Sequence, residues 1–152
     1  MIEDARWDAP FLQPLAERAA AAALGAAGIA APLEIAILAA DDARMAGLNA
    51  TFRGRDGATN VLSWPAFDLA PGAAPPEDRF GRPLLGDIAL GYETCRAEAK
   101  AADRPFEAHI AHLIIHGCLH LLGYDHENEA DATVMEDLEV RALARIGYPS
   151  PY

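Results

Sequence analysis

Residues 116–126 read HGCLHLLGYDH, and they sit at the end of a longer apolar stretch that begins at Pro105. Proline suits the first position of a helix and glycine its left-handed end, so a helix is predicted from Pro105 through Leu122 with Gly123 as terminator. His116 and His120 are four residues apart and therefore share one face of that helix. Once Gly123 has stopped the helix, His126 can return to the same point. Three neutral imidazoles hold a tetrahedral zinc and leave one coordination position open, the arrangement of a catalytic rather than a closed structural site. The expectation is one zinc ion per chain, held by His116, His120 and His126. Spacing does not separate zinc from nickel.

All the histidines fall between positions 109 and 126. His112 lies one turn before His116 and is placed to line the pocket, whereas His109, two turns away, is expected in solvent. Cys118 falls on the other side of the helix and reads as a small buried apolar residue, as does Cys95. The spacing H-x3-H-x2-G-x2-H is also that of metzincin peptidases, which carry a glutamate just after the first histidine. Here that position is Gly117, so the group that would activate water for peptide hydrolysis is missing. Asp125 is too close to His126 along the chain to replace it. Its expected part is to cap the turn or to support a ligand by hydrogen bonding.

Working outward, a helix is predicted from Pro10 to Ala27, with Leu12, Leu15, Ala19 and Ala22 on one side. LEIAILA, residues 33–39, suits a buried strand, and Asp41 and Asp42 suit the cap of a helix running to about Asn49. FRGRDGATN follows as a turn-rich loop. NVLSWPAF reads as a strand that Pro65 ends or confines to an edge. Residues 68–83, rich in proline and glycine, read as a long irregular excursion. LLGDIALG, residues 84–91, is the next strand, followed by helices over 94–103, 105–122 and 127–146. IEDARW near the start is a weaker edge-strand candidate. The sum is one α+β domain over residues 1–152, with a small mixed sheet of about four strands and about five helices.

The apolar fraction of 52% includes a large alanine share, which favours closely packed helices over a bulky core. No apolar run is long enough for a bilayer and no signal-peptide pattern opens the sequence, so a cytoplasmic protein with no membrane association is expected. Reduced cysteines fit that compartment. A net charge of -11 argues against broad electrostatic binding of nucleic acid and leaves room only for a local basic patch. Arg44, Arg53 and Arg55 can form one, with Phe52 as stacking surface for single-stranded bases and Trp64 either joining it or packing in the core as a strand residue.

HGCLHLLGYDH, together with LNATFRGRDGATNVLSWP and LLGDIAL upstream, resembles the YbeY family of bacterial metallo-endoribonucleases, over nearly the whole chain and in the same order. The resemblance implies a single zinc on His116, His120 and His126, and a functionally required arginine at Arg53. Phe52, Arg55, Ala58 and Trp64 depart mildly from the family's segment. Arg55, Asp87, His112 and Asp125 are further candidates, for substrate contact or for hydrogen bonding behind a zinc ligand. The implied function is single-strand-specific endoribonuclease action in the maturation of the small-subunit ribosomal RNA 3′ end and in ribosome quality control. The implied partners are ribosomal RNA precursors and small-subunit components of the ribosome, with no DNA. Whether water or the RNA 2′-hydroxyl attacks stays open. The rival reading is a non-catalytic ribosome-assembly protein that binds RNA and carries a structural zinc.

Overall fold

The computed structural model describes residues 1–30, 33–76 and 83–152. Its centre is the histidine-bearing helix, α4 in chain order. The elements are α1 (Ala9–Ala26), β1 (Glu34–Ala40), α2 (Asp42–Arg53), β2 (Val61–Pro65), β3 (Leu84–Gly91), α3 (Tyr92–Ala101), α4 (Phe106–Leu121) and α5 (Glu129–Arg145). Ile110, Ile114, Ile115, Leu119 and Leu121 of α4 are fully buried, because α1 and α5 cover one side of the helix and the sheet covers another. A helix that is apolar on most of its circumference has to be enclosed in this way.

The sheet has three strands in the order β1-β3-β2, with β1 parallel and β2 antiparallel to β3. Pro65 ends β2, which lies at an edge where a missing N–H costs nothing. The expected fourth strand does not form. Ile2 makes one isolated bridge to Ala39, and then the Asp4 carboxylate accepts from Arg6 N at 2.9 Å and the Asp4 carbonyl from Trp7 N at 3.0 Å. That turn ends the pairing and drops Trp7 into the core, where its indole N–H donates to the Ala40 carbonyl at 2.8 Å.

Local chemistry sets the other boundaries. Asp41 caps α2 by accepting from Arg44 N at 2.7 Å, and the helix runs a turn beyond Asn49 to end at Gly54. Asn128 caps α5 through Asp131 N at 2.8 Å, so that helix begins two residues later than predicted. Of the excursion at 68–83, residues 68–76 have neither helix nor strand and are mostly exposed, with Pro75 buried; residues 77–82 lie outside the described part. Both cysteines are free and buried, and burial pushes each thiol up to about 12, which keeps them protonated and inert. No helix among the described residues is long and apolar enough to cross a membrane.

Candidate metal centre

The last two turns of α4 carry His116 and His120, and the chain reverses at Gly123, where φ is +95°. A Cβ at that glycine would run into the Leu69 carbonyl, so both the backbone angle and the close approach of the 66–70 segment require glycine. The reversal returns His126. Ring nitrogens of His116, His120 and His126 lie within 4.8 Å of one another, and the three rings are 4.5 to 5.4 Å apart between centroids. His116 and His120 are half-buried and His126 is exposed, so the cluster opens to solvent on the His126 side.

The hydrogen bonds behind the rings decide which nitrogens face inward. His116 Nδ1 donates to Glu139 Oε1 at 3.0 Å, and His120 Nδ1 donates to the Tyr124 carbonyl at 2.9 Å. Both Nε2 atoms therefore carry lone pairs, and they face each other at 3.1 Å. Two lone pairs at that separation repel unless a cation lies between them. Tetrahedral zinc, with Zn–N of about 2.0–2.1 Å, places adjacent nitrogens about 3.3 Å apart. Burial, and then the charges of His116 and His126, push the His120 imidazole down to about 4, which keeps it neutral and ligating at pH 7. The donor set fits a divalent metal.

Glu139 was not legible as a functional residue from its chemistry alone, yet it organises the centre. It is 1% exposed on α5 and accepts from His116 Nδ1, from His112 Nε2 at 2.8 Å and from the Tyr152 hydroxyl at 3.0 Å. Burial drives its carboxyl up, but the hydrogen bonds from His112 and His116 outweigh that and hold it at about 2. A signal existed in the sequence: Met135, Leu138, Ala142 and Leu143 form the buried stripe of α5, and Glu139 occupies a position within that stripe. A carboxylate in a core stripe needs buried partners, and the histidine face of α4 supplies them.

The remaining candidates separate. Among the described residues Asp87 makes no hydrogen bond to an imidazole of the cluster. Ile88 points at α4, against Gly117, so its neighbour Asp87 stands on the opposite sheet face, lining a cleft of about 510 Å³ with Phe52 and Trp64. The support expected from Asp87 comes instead from Glu139, which also engages His112. Asp125 accepts from His126 N at 2.7 Å and so fixes the turn that presents this ligand. His109, expected in solvent, is only 7% exposed, because α3 and the 151–152 segment close over that face of α4. Arg53 is the last residue of α2 and Arg55 follows in the loop; both are exposed and neither has an ion-pair partner among the described residues. Their loop is pinned, with Asn49 Nδ2 donating to the Gly57 carbonyl at 3.0 Å. Phe52 is 61% exposed and meets the half-buried Trp64 edge to face at 5.6 Å.

Gly117 stands where metzincins carry their glutamate, and a Cβ there would lie 2.9 Å from Ile88 Cδ1. Position 117 faces the sheet rather than the metal. Glu139 lies behind the imidazoles, so among the described residues no carboxylate bonds to the inward nitrogens.

Three comparisons place this architecture among known proteins. A family model described as endoribonuclease YbeY matches residues 2–147. The endoribonuclease YbeY of Ruegeria pomeroyi is 52% identical over 158 residues, covering 99% of this chain and 94% of that protein. Its counterpart from Dinoroseobacter shibae is also 52% identical, covering 99% of this chain and 87% of the relative. The solution structure of TM1509 from Thermotoga maritima superposes with a TM-score of 0.56 at 22% identity, covering 96% of this chain and 91% of that one, a likeness of fold. With the family pattern spanning nearly its whole length, the chain belongs to the endoribonuclease YbeY family.

Proposed function

We propose that this protein is a zinc-dependent, single-strand-specific endoribonuclease that acts in the cytoplasm on ribosomal RNA precursors, at the small-subunit RNA 3′ end and in ribosome quality control. The observation that carries this reading is the convergence of His116, His120 and His126, with the inward nitrogens of His116 and His120 fixed, in a chain of the endoribonuclease YbeY family. Zinc bound there supplies a Lewis acid for phosphodiester hydrolysis. The chain's own groups do the rest. Glu139 and the Tyr124 carbonyl lock the rings of His116 and His120, so these two need no reorganisation on binding. The exposed side of the cluster, at His126, admits a strand.

Arg53 is the group for the phosphate. Its planar fork matches two phosphate oxygens and offsets charge that grows on them during displacement. Arg55 adds a second cation on the same loop, and Phe52 offers an exposed ring for base stacking. These groups give the local basic, aromatic surface that a chain of net charge -11 needs to hold RNA. Small-subunit components of the ribosome are the partners this reading requires.

The test is cleavage of a ribosomal RNA fragment with single-stranded segments by wild type, His116→Ala and Arg53→Ala, with and without chelator. The expected result is loss of cleavage in His116→Ala and after chelation, and a fall of about a hundredfold in Arg53→Ala, the scale set by removing one charge-stabilising donor. Undiminished cleavage in both variants overturns the reading. RNA binding without any cleavage by the zinc-loaded wild type gives the site to the rival, an assembly protein with a structural zinc.

A further inference from the structure

Beside the metal centre lies a second pocket of about 260 Å³, walled by Asn60, Glu98, Arg104, His109, His112 and Tyr152 and sharing His116 with the histidine cluster. Its polar groups are unsatisfied. His109 is 7% exposed and neither of its ring nitrogens has a hydrogen-bond partner; Glu98 Oε1 and His112 Nδ1 are also buried without one. His109 Nε2 and Glu98 Oε1 stand 3.8 Å apart, too far to bond to each other. Buried polar atoms without partners cost about 1–3 kcal/mol each in general, so a cluster of them lining one pocket marks a place for a ligand.

The chemistry of the walls selects that ligand. A phosphate is disfavoured because the Glu98 carboxylate offsets the Arg104 cation on the same wall. Burial pushes His109 down to about 4, so its ring is neutral at pH 7, and in the tautomer that carries its proton on Nδ1 the accepting Nε2 stands beside the accepting Glu98 Oε1. Two acceptors side by side call for one group that donates two protons. An exocyclic amino group of a nucleobase does so, whereas uracil presents only carbonyl oxygens where adenine and cytosine carry that group. We propose that this pocket is a base-recognition subsite, which takes a nucleotide of the bound strand next to the metal centre and prefers a base with an exocyclic amino group over uracil. It rests on the endoribonuclease reading, whose substrate it narrows.

Glu98→Gln tests the subsite with little disturbance. Asn60 Nδ2 donates to Glu98 Oε2 at 3.2 Å, so the new amide oxygen keeps that bond while its nitrogen takes the place of Oε1. The acceptor facing the pocket becomes a donor. The measurement is fluorescence anisotropy of zinc-loaded protein with short labelled oligoadenosine, oligocytidine and oligouridine, 2′-O-methylated against cleavage. Wild type is expected to bind the adenosine and cytidine strands about tenfold more tightly than the uridine strand, a modest base discrimination. Glu98→Gln should abolish or reverse that ratio, and His109→Phe should bring the adenosine and cytidine strands to the uridine level. An equal affinity for all three strands in wild type, or a ratio unchanged in Glu98→Gln, overturns the subsite. Cleavage of unmodified strands is followed in parallel. Cleavage without a Glu98-dependent preference sinks the subsite alone, and a Glu98-dependent preference without cleavage sinks the nuclease reading while leaving the pocket's selectivity in place.

Discussion

Glu139 and His116 meet across the α4–α5 interface, with Nδ1 of the imidazole 3.0 Å from Oε1 of a carboxylate that is 1% exposed. The bond fixes the ring of one ligand and is shared with His112 on the same oxygen. Removing the negative charge while keeping the shape should therefore loosen the ligand. Glu139→Gln is expected to weaken metal affinity about 10- to 100-fold, the usual cost of losing such a partner. Competition with a chromophoric chelator measures it, with circular dichroism to verify the helices; an unchanged affinity would contradict the role given to Glu139.

Gly117 is a packing residue. Gly117→Glu restores the metzincin pattern in sequence, but the side chain would be forced against Ile88 rather than toward the metal. The expected outcome is destabilisation of about 3 kcal/mol or more, from overpacking and a buried carboxylate, and no peptidase activity. Urea denaturation and a peptide-hydrolysis assay check the two halves separately.

Gly123 both ends α4 and lets Leu69 approach. In Gly123→Ala the positive φ and the collision with the Leu69 carbonyl act together, at about 1–3 kcal/mol for the backbone strain alone. Since His126 depends on that reversal, metal affinity should fall along with stability. Titration of the folded variant with zinc below its denaturation midpoint reports this directly; retention of wild-type affinity would show that His126 finds its place without the glycine.

The buried His109 makes stability depend on pH. Its folded pKa, held down by burial and then by the charges of Arg104 and His112, is about 4 against 6.5 for the free group. The unfolded chain thus binds a proton that the folded one refuses between those values, so this group's contribution falls as the pH drops from about 6.5 toward 4. The loss is expected on the order of 1–3 kcal/mol. His109→Phe should flatten that part of the stability profile relative to wild type, as read from urea titrations at pH 7 and pH 5.

Much of the centre was written in the order of residues. The i,i+4 spacing of His116 and His120 and the stop at Gly123 depend only on helix geometry and on glycine's freedom at positive φ, so the convergence of the three histidines follows without tertiary information. Strand β3 and the boundaries of α4 were legible for the same reason, because a short apolar run and the proline and glycine that bound an element act locally. The edge strand expected at IEDARW does not extend past the bridge at Ile2, because one side-chain turn at Asp4 ends the pairing. His109 was misplaced because its burial comes from α3 and from residues 151–152, which are far from it in sequence or reach it only by folding back.

What the tertiary structure alone decided is who stands behind the ligands. A strand face alternates with a period of two, so Asp87 lost its expected part once Ile88 was turned toward Gly117. Glu139 gained it because α5 lays its buried stripe against the histidine face of α4. Local spacing fixes which side chains share a helix face, whereas their hydrogen-bond partners depend on how helices pack, and that packing is a property of the whole buried core.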